Sequence, residues 1–534
     1  MAIAEFRIDG GTIIDGTGEP GRIGRVAIQG GRLIVTDDAV PARRIIDADG
    51  AIVSPGFIDL HTHSDFTLPL HPAAPAMVHQ GVTTQVTGNC GFSPFPAPPV
   101  RVNELMALTK FIDKGIDWDR CATADDYIRY LEDTSPATNV VLQVGLGTVR
   151  VATMGFDRRP PTSPERAQME REISAAFDAG ALGISSGLVY APGSYASADE
   201  VRALVSVAAA RGGFYSTHIR NEGAELQASI EEALDTARSA GAPLQISHHK
   251  AIGSPNWGSV NSSLAQIDRA IDLGQDVLAD VYPYRAGSTT LTQILPTWAL
   301  EGGIPAMRRN LQDPAVRKRI AHEMTRPDAL RDFDPNAIVL AEIPPGPNAG
   351  HEGRSLAELA ADAGQDPIDV AFRLLVEEGA GIVMVVFGMA EEDVKRVMSH
   401  HAVAIASDGW TLDPSTGGTP HPRSYGTFPR VLGKYVREEG VLSLEAAVHK
   451  MTGLPARRLR GLQRGHIESG FVADIVVFDP AAIADVATYS DPHRFSVGLE
   501  HVFVGGVPVI EDRLETGARP GSVLTRERRA DPVE

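Results

Sequence analysis

The sequence predicts an α/β fold in which a large parallel (β/α)8 barrel carries a small β domain. The chain has 534 residues, more than one small domain needs and about the length of a large barrel with attachments. From Ile52 onward, short apolar segments alternate with longer helical ones, as a parallel sheet with crossover helices requires. Both ends of the chain instead consist of short strand-like segments broken by glycine-containing turns.

The later barrel strands are predicted from apolar runs of three to six residues. Together with the run that ends at His61, there are about nine candidates for eight strands. One of them, expected among the closely spaced early ones, must therefore belong elsewhere. The later candidates are residues 82–86, 140–144, 182–185, 213–216, 244–246, 277–281, 382–387 and 402–406. Between them, the pair Ser163 and Pro164 is expected to open a helix that Gly180 closes.

The two ends of the chain are expected to pair with each other. Residues 1–56 and 455–534 would then form one β domain, and residues 57–454 would form the barrel. Within the barrel, residues 285–343 carry weak periodicity, many charges and no clean strand. We interpret this segment as an insertion or lid after a barrel strand, because long connections in compact domains are usually functional.

Composition excludes several classes of function. The net charge of −19 and the pI of about 5.3 argue against nucleic acid or an anionic membrane as a partner. The sequence has no apolar run of 18 residues and no visible signal peptide. Two cysteines, Cys90 and Cys121, do not make a disulfide framework. These features predict a cytoplasmic protein.

The motif GFIDLHTH at residues 56–63 ends an apolar run in two histidines. Residues i and i+2 share one face of a strand, so the imidazoles of His61 and His63 would point the same way. Two such imidazoles can hold one zinc, iron or nickel ion, and a strand end leaves a coordination position for water or substrate. The alternative is that both are surface or hydrogen-bonded core histidines.

Four further potential ligands follow later strand candidates. They are Cys90 in TGNCG, His218 in THIR, His248 in ISHHK and Asp408 in ASDG. Each has a plain explanation when taken alone, as an inert core cysteine, a hydrogen-bonded histidine or a turn aspartate. Barrel enzymes, however, place their working groups just past the ends of the strands. Six such residues at five strand ends therefore predict a common metal site.

These residues resemble a known family. The pattern GFIDxHxH, a histidine at each of two later strands and an aspartate at the last resemble the amidohydrolase superfamily. Within it, five stretches are similar to the N-acyl-D-amino-acid deacylases, or D-aminoacylases. They are TGNCG (87–91), GISSGLVY (183–190), THIR (217–220), ISHHK (246–250) and PHPRSYGTFPR (420–430). The similarity runs nearly end to end, including RG at 464–465 and GFVAD at 470–474.

The resemblance implies a β-sandwich beside the (β/α)8 barrel and a zinc cofactor. One tightly held zinc ion would be bound by Cys90, His218 and His248. A second, weaker site would be formed by His61, His63 and Asp408. A thiolate and two imidazoles leave one of the four positions of zinc open for water. The bridging carboxylated lysine of other amidohydrolases is not needed.

The resemblance also implies a reaction, the hydrolysis of an N-acyl-D-amino acid to a carboxylate and a free D-amino acid. We predict that zinc polarises the amide carbonyl and activates its water, while Asp408 takes the proton from water and passes it to the leaving amine. The family pattern suggests that the substrate carboxylate contacts Lys250, Tyr190, Tyr282, Ser288 and Arg423. Simple packing is the alternative for the two tyrosines, and a surface anchor is the alternative for Arg423.

Two features depart from the family pattern. Leu146 stands where relatives usually have a histidine, which we expect at the barrel mouth, so it suggests a more apolar pocket or an altered reaction preference. The loop 409–420 is also long for the family.

A cyclic amidase of the hydantoinase or dihydroorotase kind is the second hypothesis for the function, although Cys90 argues against it. A non-catalytic scaffold is the third, although such proteins typically lose metal ligands. The partner is then a small N-acylated amino acid, while its side chain, its acyl chain and a homo-oligomeric state stay open.

Overall fold

Eight parallel strands surround an apolar interior in the computed structural model, which describes residues 3–326, 333–459 and 461–525. Each strand pairs with the next one along the chain, so the order in the sheet follows the sequence. The strands are β1 (Phe57–Asp59), β2 (Val82–Thr87), β3 (Asn139–Gly145), β4 (Gly183–Gly187), β5 (Phe214–His218), β6 (Leu244–Ile246), β7 (Val277–Val281) and β8 (Val403–Ile405).

The barrel closes just beyond the carboxyl ends of β8 and β1. The backbone N–H of Asp408 donates to the carbonyl of His61 at 2.8 Å, and that of His63 donates to the carbonyl of Gly409 at 2.9 Å. A parallel bridge joins Thr62 to Gly409 at the same place. The predicted α/β barrel is confirmed, and its closing seam runs through three of the predicted metal ligands.

Helices connect the strands and cover the outside of the barrel. The helix predicted from Ser163 spans Ser163–Ala179 and ends at Gly180 as expected, but its capping residue is Thr162, whose hydroxyl accepts from the N–H of Glu165. The α-helices are Pro75–Val78, Val102–Thr109, Ala124–Thr134, Leu146–Met154, Ser163–Ala179, Ala198–Ala210, Leu226–Ala240, Val260–Asp272, Gly303–Gln312, Pro314–Met324, Leu356–Ala363, Pro367–Glu378, Glu391–Ser399, Arg423–Arg430, Leu444–Met451 and Gly453–Ala456, and a π-helix spans Val431–Glu438.

The ninth strand candidate belongs to a separate sheet between β7 and β8. Val383–Phe387 is the middle strand of this sheet and pairs antiparallel with Ala286–Thr290 and Ile338–Glu342. The expectation that the extra strand is an early one was therefore wrong. Residues 285–343 also contain two strands where none was expected, and the inserted sheet reaches residue 387. It has an apolar core of its own, built around buried residues such as Leu340 and Phe372.

The two ends of the chain pair as predicted. Ile475–Phe478 lies antiparallel to Ile52–Pro55 in a seven-stranded sheet, whose order is Leu514–Glu515, Val507–Glu511, Leu499–Val504, Ile475–Phe478, Ile52–Pro55, Thr12–Ile13 and Arg22–Ile23. A four-stranded sheet has the order Arg32–Thr36, Arg25–Gln29, Ala4–Asp9 and Ala42–Asp47. Side chains from both sheets share one apolar core, which gives a small sandwich beside the barrel.

A helix needs about 20 mostly apolar residues to span a bilayer. Across the described ranges, no helix is both long and apolar enough to cross a bilayer.

Candidate metal centre and catalytic cleft

The six predicted ligands come together at the carboxyl ends of the barrel strands. His61 and His63 follow β1, Cys90 follows β2, and Asp408 follows β8. His218 is the last residue of β5, and His248 follows β6 by two residues. All six side chains belong to residues that are at most 7% exposed. The barrel thus gathers residues from five strand ends into one buried cluster.

Cys90 lies at the centre of this cluster. Its Sγ atom is 3.3 Å from Nε2 of His61, 3.5 Å from Nε2 of His248 and 3.7 Å from Nδ1 of His218. Zinc–sulfur bonds of about 2.3 Å and zinc–nitrogen bonds of about 2.0 Å at tetrahedral angles give a sulfur–nitrogen separation of about 3.5 Å. The donor atoms of Cys90, His218 and His248 therefore already have the spacing of zinc ligands.

A second group of donors adjoins the first. Oδ1 of Asp408 is 3.3 Å from Nε2 of His61 and 3.2 Å from Nε2 of His63. Nitrogen and oxygen ligands at about 2.0 Å from a tetrahedral ion are about 3.3 Å apart. Within each of three overlapping groups, the donor atoms lie within 4.8 Å of one another, and His61, Cys90 and His248 each belong to two of these groups. The arrangement has room for two neighbouring metal positions.

The charged groups of this cluster strongly shift one another's pKa values. Burial raises the pKa of the Cys90 thiol, but the neighbouring His61 and His248 charges lower it, and the net pKa is well below the usual value. Burial also opposes ionisation of Asp408, but Arg423 and His61 hold its pKa well below the usual range. The two anions in turn keep the pKa of His61 raised, against burial, which lowers it. A metal ion would supply the positive charge that these anions require.

Three of the predicted ligands occupy left-handed backbone conformations. The φ angles are 54° at Cys90, 35° at His248 and 50° at Asp408. Such conformations cost of order 1 kcal/mol or more for a residue with a Cβ and concentrate at functional sites. Sterics explain why the motif TGNCG has glycine at position 88. A Cβ there would lie 2.1 Å from the carbonyl oxygen of Gln143.

Two carboxylates that were not predicted from the sequence contact the histidine ring nitrogens that point away from Cys90. Glu222 Oε1 is 2.6 Å from Nζ of Lys250 and 3.2 Å from Nδ1 of His248, and its Oε2 is 3.5 Å from Nε2 of His218. Its position four residues after His218 was the available signal. Asp280, inside the apolar strand β7, contacts Nδ1 of His61 at 3.2 Å. A carboxylate within an apolar strand was the signal there.

All five predicted substrate-binding residues line the same cleft: Lys250, Tyr190, Tyr282, Ser288 and Arg423. Arg423 is not a surface anchor, since it is 3% exposed and its Nη1 lies 2.7 Å from Oδ2 of Asp408. The Tyr282 ring lies 5.0 Å from the Arg423 guanidinium and 5.5 Å from the Lys250 ammonium. The hydroxyl group of Tyr190 is 3.0 Å from that of Thr289.

Leu146 lies at the carboxyl rim of the barrel, as expected, because it directly follows β3. It begins the helix Leu146–Met154 and is fully buried in the apolar core of the barrel, away from the residues that line the cleft. Its effect on the pocket and on the reaction preference stays a prediction. The long loop after β8 does reach the cleft, through Trp410.

Comparisons with known proteins agree with this arrangement. The family model described as "Amidohydrolase family" matches residues 44–510. N-acyl-D-glutamate deacylase from Alcaligenes xylosoxydans xylosoxydans is 39% identical over 522 residues, which cover 97% of this chain and 96% of that protein.

Two solved structures are similar over nearly the whole chain. One is N-acyl-D-glutamate deacylase from Bordetella bronchiseptica with zinc and a phosphonate inhibitor; its TM-score is 0.83 at 36% identity, covering 98% of this chain and 100% of that one. The other is D-aminoacylase, described as having a binuclear metal centre; its TM-score is 0.82 at 38% identity, again covering 98% and 100%. The donor set and these relatives together support a metal ion in the cleft.

Replacement of Glu222 by glutamine tests its contacts with the histidines. Glu222→Gln is expected to weaken metal binding by about 10- to 100-fold, because carboxylates that bind the second ring nitrogen of a ligand orient it and raise its basicity. Competition with a chromogenic chelator measures the affinity. Glu232→Gln is the matched control, since Glu232 pairs with Arg220 and not with a ligand histidine. Equal metal affinities of the two variants would contradict this role.

Proposed function

This chain belongs to the amidohydrolase family, and we propose that it is a zinc-dependent hydrolase that cleaves N-acyl-D-amino acids to a carboxylate and a free D-amino acid. The observation that carries the proposal is the buried set of Cys90, His218 and His248, with a carboxylate and two cations in the same cleft. The D-configuration rests on the relatives, which are named as acting on N-acyl-D-glutamate or as D-aminoacylase.

The proposed metal ligands divide into two sets. Cys90, His218 and His248 hold one zinc ion tightly, and His61, His63 and Asp408 provide a weaker second position. When bound, zinc polarises the amide carbonyl and lowers the pKa of water toward about 7. The thiolate supports zinc rather than magnesium or calcium, because those ions prefer oxygen ligands.

Asp408 is the proposed general base and then general acid. Its Oδ2 atom contacts Arg423, while Oδ1 faces the imidazoles of His61 and His63. The low pKa of this carboxyl, held against burial by Arg423 and His61, keeps it ionised and ready to accept a proton from water. Asp408 then donates this proton to the amide nitrogen as the carbon–nitrogen bond breaks, so that the amine leaves in a neutral form.

The substrate's α-carboxylate is proposed to lie between Lys250 and Arg423. Tyr190, Tyr282 and Ser288 surround the same space and offer hydroxyl groups.

Ser288 lies on the inserted sheet, whose strand Val383–Phe387 also contributes Val386 to the cleft. The insertion therefore serves as a wall or lid of the cleft. The proposed domains of the chain are a barrel at 57–454 and a sandwich at 1–56 and 455–534. Both cysteines are free thiols, which supports the proposed cytoplasmic location.

A hydrolysis screen tests the proposal. The zinc-loaded enzyme is incubated with N-acetyl, N-chloroacetyl and aromatic N-acyl derivatives of D- and L-amino acids, and with hydantoins and dihydroorotate. Release of free amine from D-substrates is the expected result. Activity confined to L-substrates would overturn the proposed configuration, and activity confined to the cyclic compounds would overturn the proposal in favour of a cyclic amidase.

The two cysteines provide a matched test of the tight zinc site. Cys90→Ser is expected to lose most bound zinc and activity, because the thiolate sits at the centre of the donor set. Cys121→Ser should keep both, since Cys121 is buried beside the carbonyl of Asp117 and does not line the cleft. Zinc is measured by mass spectrometry on desalted protein. Full zinc content in Cys90→Ser would refute the assignment.

Replacement of Asp408 separates proton transfer from metal binding. Asp408→Asn is expected to lower kcat by about 100- to 10,000-fold, the usual contribution of a general base, while the tightly bound zinc stays nearly unchanged. Turnover and zinc content are measured on the same preparation. A variant that loses zinc together with activity would identify Asp408 mainly as a ligand.

A further inference from the structure

The inserted sheet has an open edge beside the catalytic cleft. Its strand Ala286–Thr290 pairs with Val383–Phe387 on one side and, within the described ranges, with no strand on the other. Alternate carbonyl groups of such an edge strand point away from the sheet and need partners when they are buried. Ser288, one of the residues proposed to bind the substrate carboxylate, lies in the middle of this strand. The groups that hold the edge therefore also determine where Ser288 lies.

Two side chains from one turn hold this edge. Nε2 of His421 lies 2.9 Å from the carbonyl oxygen of Ala286, and Nη2 of Arg423 donates to the carbonyl oxygen of Ser288 at 3.3 Å. Carbonyl groups two residues apart in a strand point to the same side. The turn that leads from the loop after β8 into the helix Arg423–Arg430 thus binds the inserted sheet at two successive positions.

The ring of His421 also binds the start of this helix. Its Nδ1 atom accepts the backbone N–H of Arg423 at 3.0 Å. The first N–H groups of a helix have no partner within the helix, and both residues here are only 3% exposed, so a side-chain acceptor takes the place of water. One imidazole therefore joins the backbone of Arg423 to the backbone of Ala286.

These two contacts determine the tautomer of His421. The backbone N–H of Arg423 can only donate, so Nδ1 carries no hydrogen, and Nε2–H donates to Ala286. Burial and the positive charge of Arg423 hold the pKa of His421 well below its usual value, which keeps the ring neutral at neutral pH. Both ring nitrogens are occupied, so the ring is suited to holding a structure in place rather than to transferring protons.

Three tyrosine rings restrict the orientation of this imidazole. The ring centroids of Tyr284 and Tyr489 are each 5.1 Å from that of His421, and the centroid of Tyr282 is 6.2 Å away. Tyr282 also lies 5.0 Å from the guanidinium of Arg423. The side chains of His421 and Arg423 are thus packed against the same ring.

We propose that His421 is a positioning residue for substrate binding, which ties the edge of the inserted sheet to the backbone of Arg423 so that Arg423 and Ser288 meet a substrate carboxylate at a fixed spacing. The inference rests on the proposed function, in which this carboxylate lies beside Arg423. His421 does not line the cleft itself. It acts through Arg423 and Ser288 and not by touching the substrate.

Replacement of His421 by phenylalanine tests the two hydrogen bonds while keeping an aromatic ring. For the zinc-loaded full-length enzyme and the best D-substrate of the hydrolysis screen, His421→Phe is expected to raise KM by about 10- to 100-fold, the effect of weakened hydrogen bonds to a charged group, and to lower kcat by a smaller factor. A merely structural role would reduce the amount of active enzyme, which lowers apparent kcat and leaves KM unchanged. That result would overturn the inference.

Calorimetric titration measures the same effect without turnover. The ligands are two non-hydrolysable phosphonamidate analogues of that substrate, one with the α-carboxylate and one with a carboxamide in its place. His421→Phe should weaken binding of the carboxylate analogue by a factor similar to the rise in KM, and should change binding of the carboxamide analogue by less than about threefold. Equal losses for both analogues would contradict a role in carboxylate binding.

A histidine in the sandwich provides the matched control. His501, on the strand Leu499–Val504, is 5% exposed and likewise accepts a backbone N–H through Nδ1, from Asp512 at 3.3 Å. His501→Phe should leave KM unchanged. A rise in KM as large as that of His421→Phe would show that loss of any buried histidine has this effect, and would overturn the inference.

A second variant at the same position covers the case in which His421→Phe does not fold, as judged by circular dichroism. His421→Asn keeps an acceptor near the N–H of Arg423 and loses the donor to Ala286, so it should raise KM by a smaller factor. An unchanged KM in the folded variant would refute the role of His421 and leave the proposed function standing. No hydrolysis of any N-acyl-D-amino acid by the unaltered enzyme would refute the proposed function, and the inference with it.

Discussion

Closure of the barrel between its first and last strands is the constraint on which the site depends. The hydrogen bonds that close it join the backbones of His61 and His63 to those of Asp408 and Gly409. A buried carboxylate strengthens the same seam, since Oδ1 of Asp59 accepts from the N–H groups of both His61 and Ser407. The donor atoms meet only when the seam is formed, so metal binding and completion of the barrel are thermodynamically linked.

The buried charges explain why such a site is built with so many partners. A thiolate and carboxylates in an apolar interior are costly unless they are paired and hydrogen-bonded. Here Glu222 contacts two histidines and Lys250, and Asp280 holds the ring of His61 while accepting the backbone N–H of His248 at 2.7 Å. These carboxylates orient the rings, and their arrangement offsets the strain of the left-handed residues in the loops.

The sequence predicts those parts of the fold and of the site that follow from the position of a residue along its own strand. Strands of a parallel barrel all end at one rim, so polar residues just past several strand ends must meet there whatever the loops do. That is why six candidate ligands could be picked out from their positions alone, and the structure brings them together. The strand Val383–Phe387 has the same apolar pattern as a barrel strand, and only its antiparallel pairing with Ala286–Thr290 distinguishes it. Glu222 was missed because two of its contacts, with His248 and Lys250, come from the end of the next strand.

Under the proposed function, Arg423 joins substrate recognition and chemistry in one side chain. Its guanidinium contacts the Asp408 carboxylate through Nη1 and the carbonyl oxygen of Ser288 through Nη2, at 3.3 Å, while facing the cleft. A substrate carboxylate that approaches this guanidinium competes with Asp408 for the same positive charge. The competition weakens the influence that lowers the pKa of Asp408, so the carboxyl becomes a stronger base when substrate is present. In the proposed mechanism, binding of the substrate carboxylate and activation of Asp408 as the base are thus two effects of one interaction.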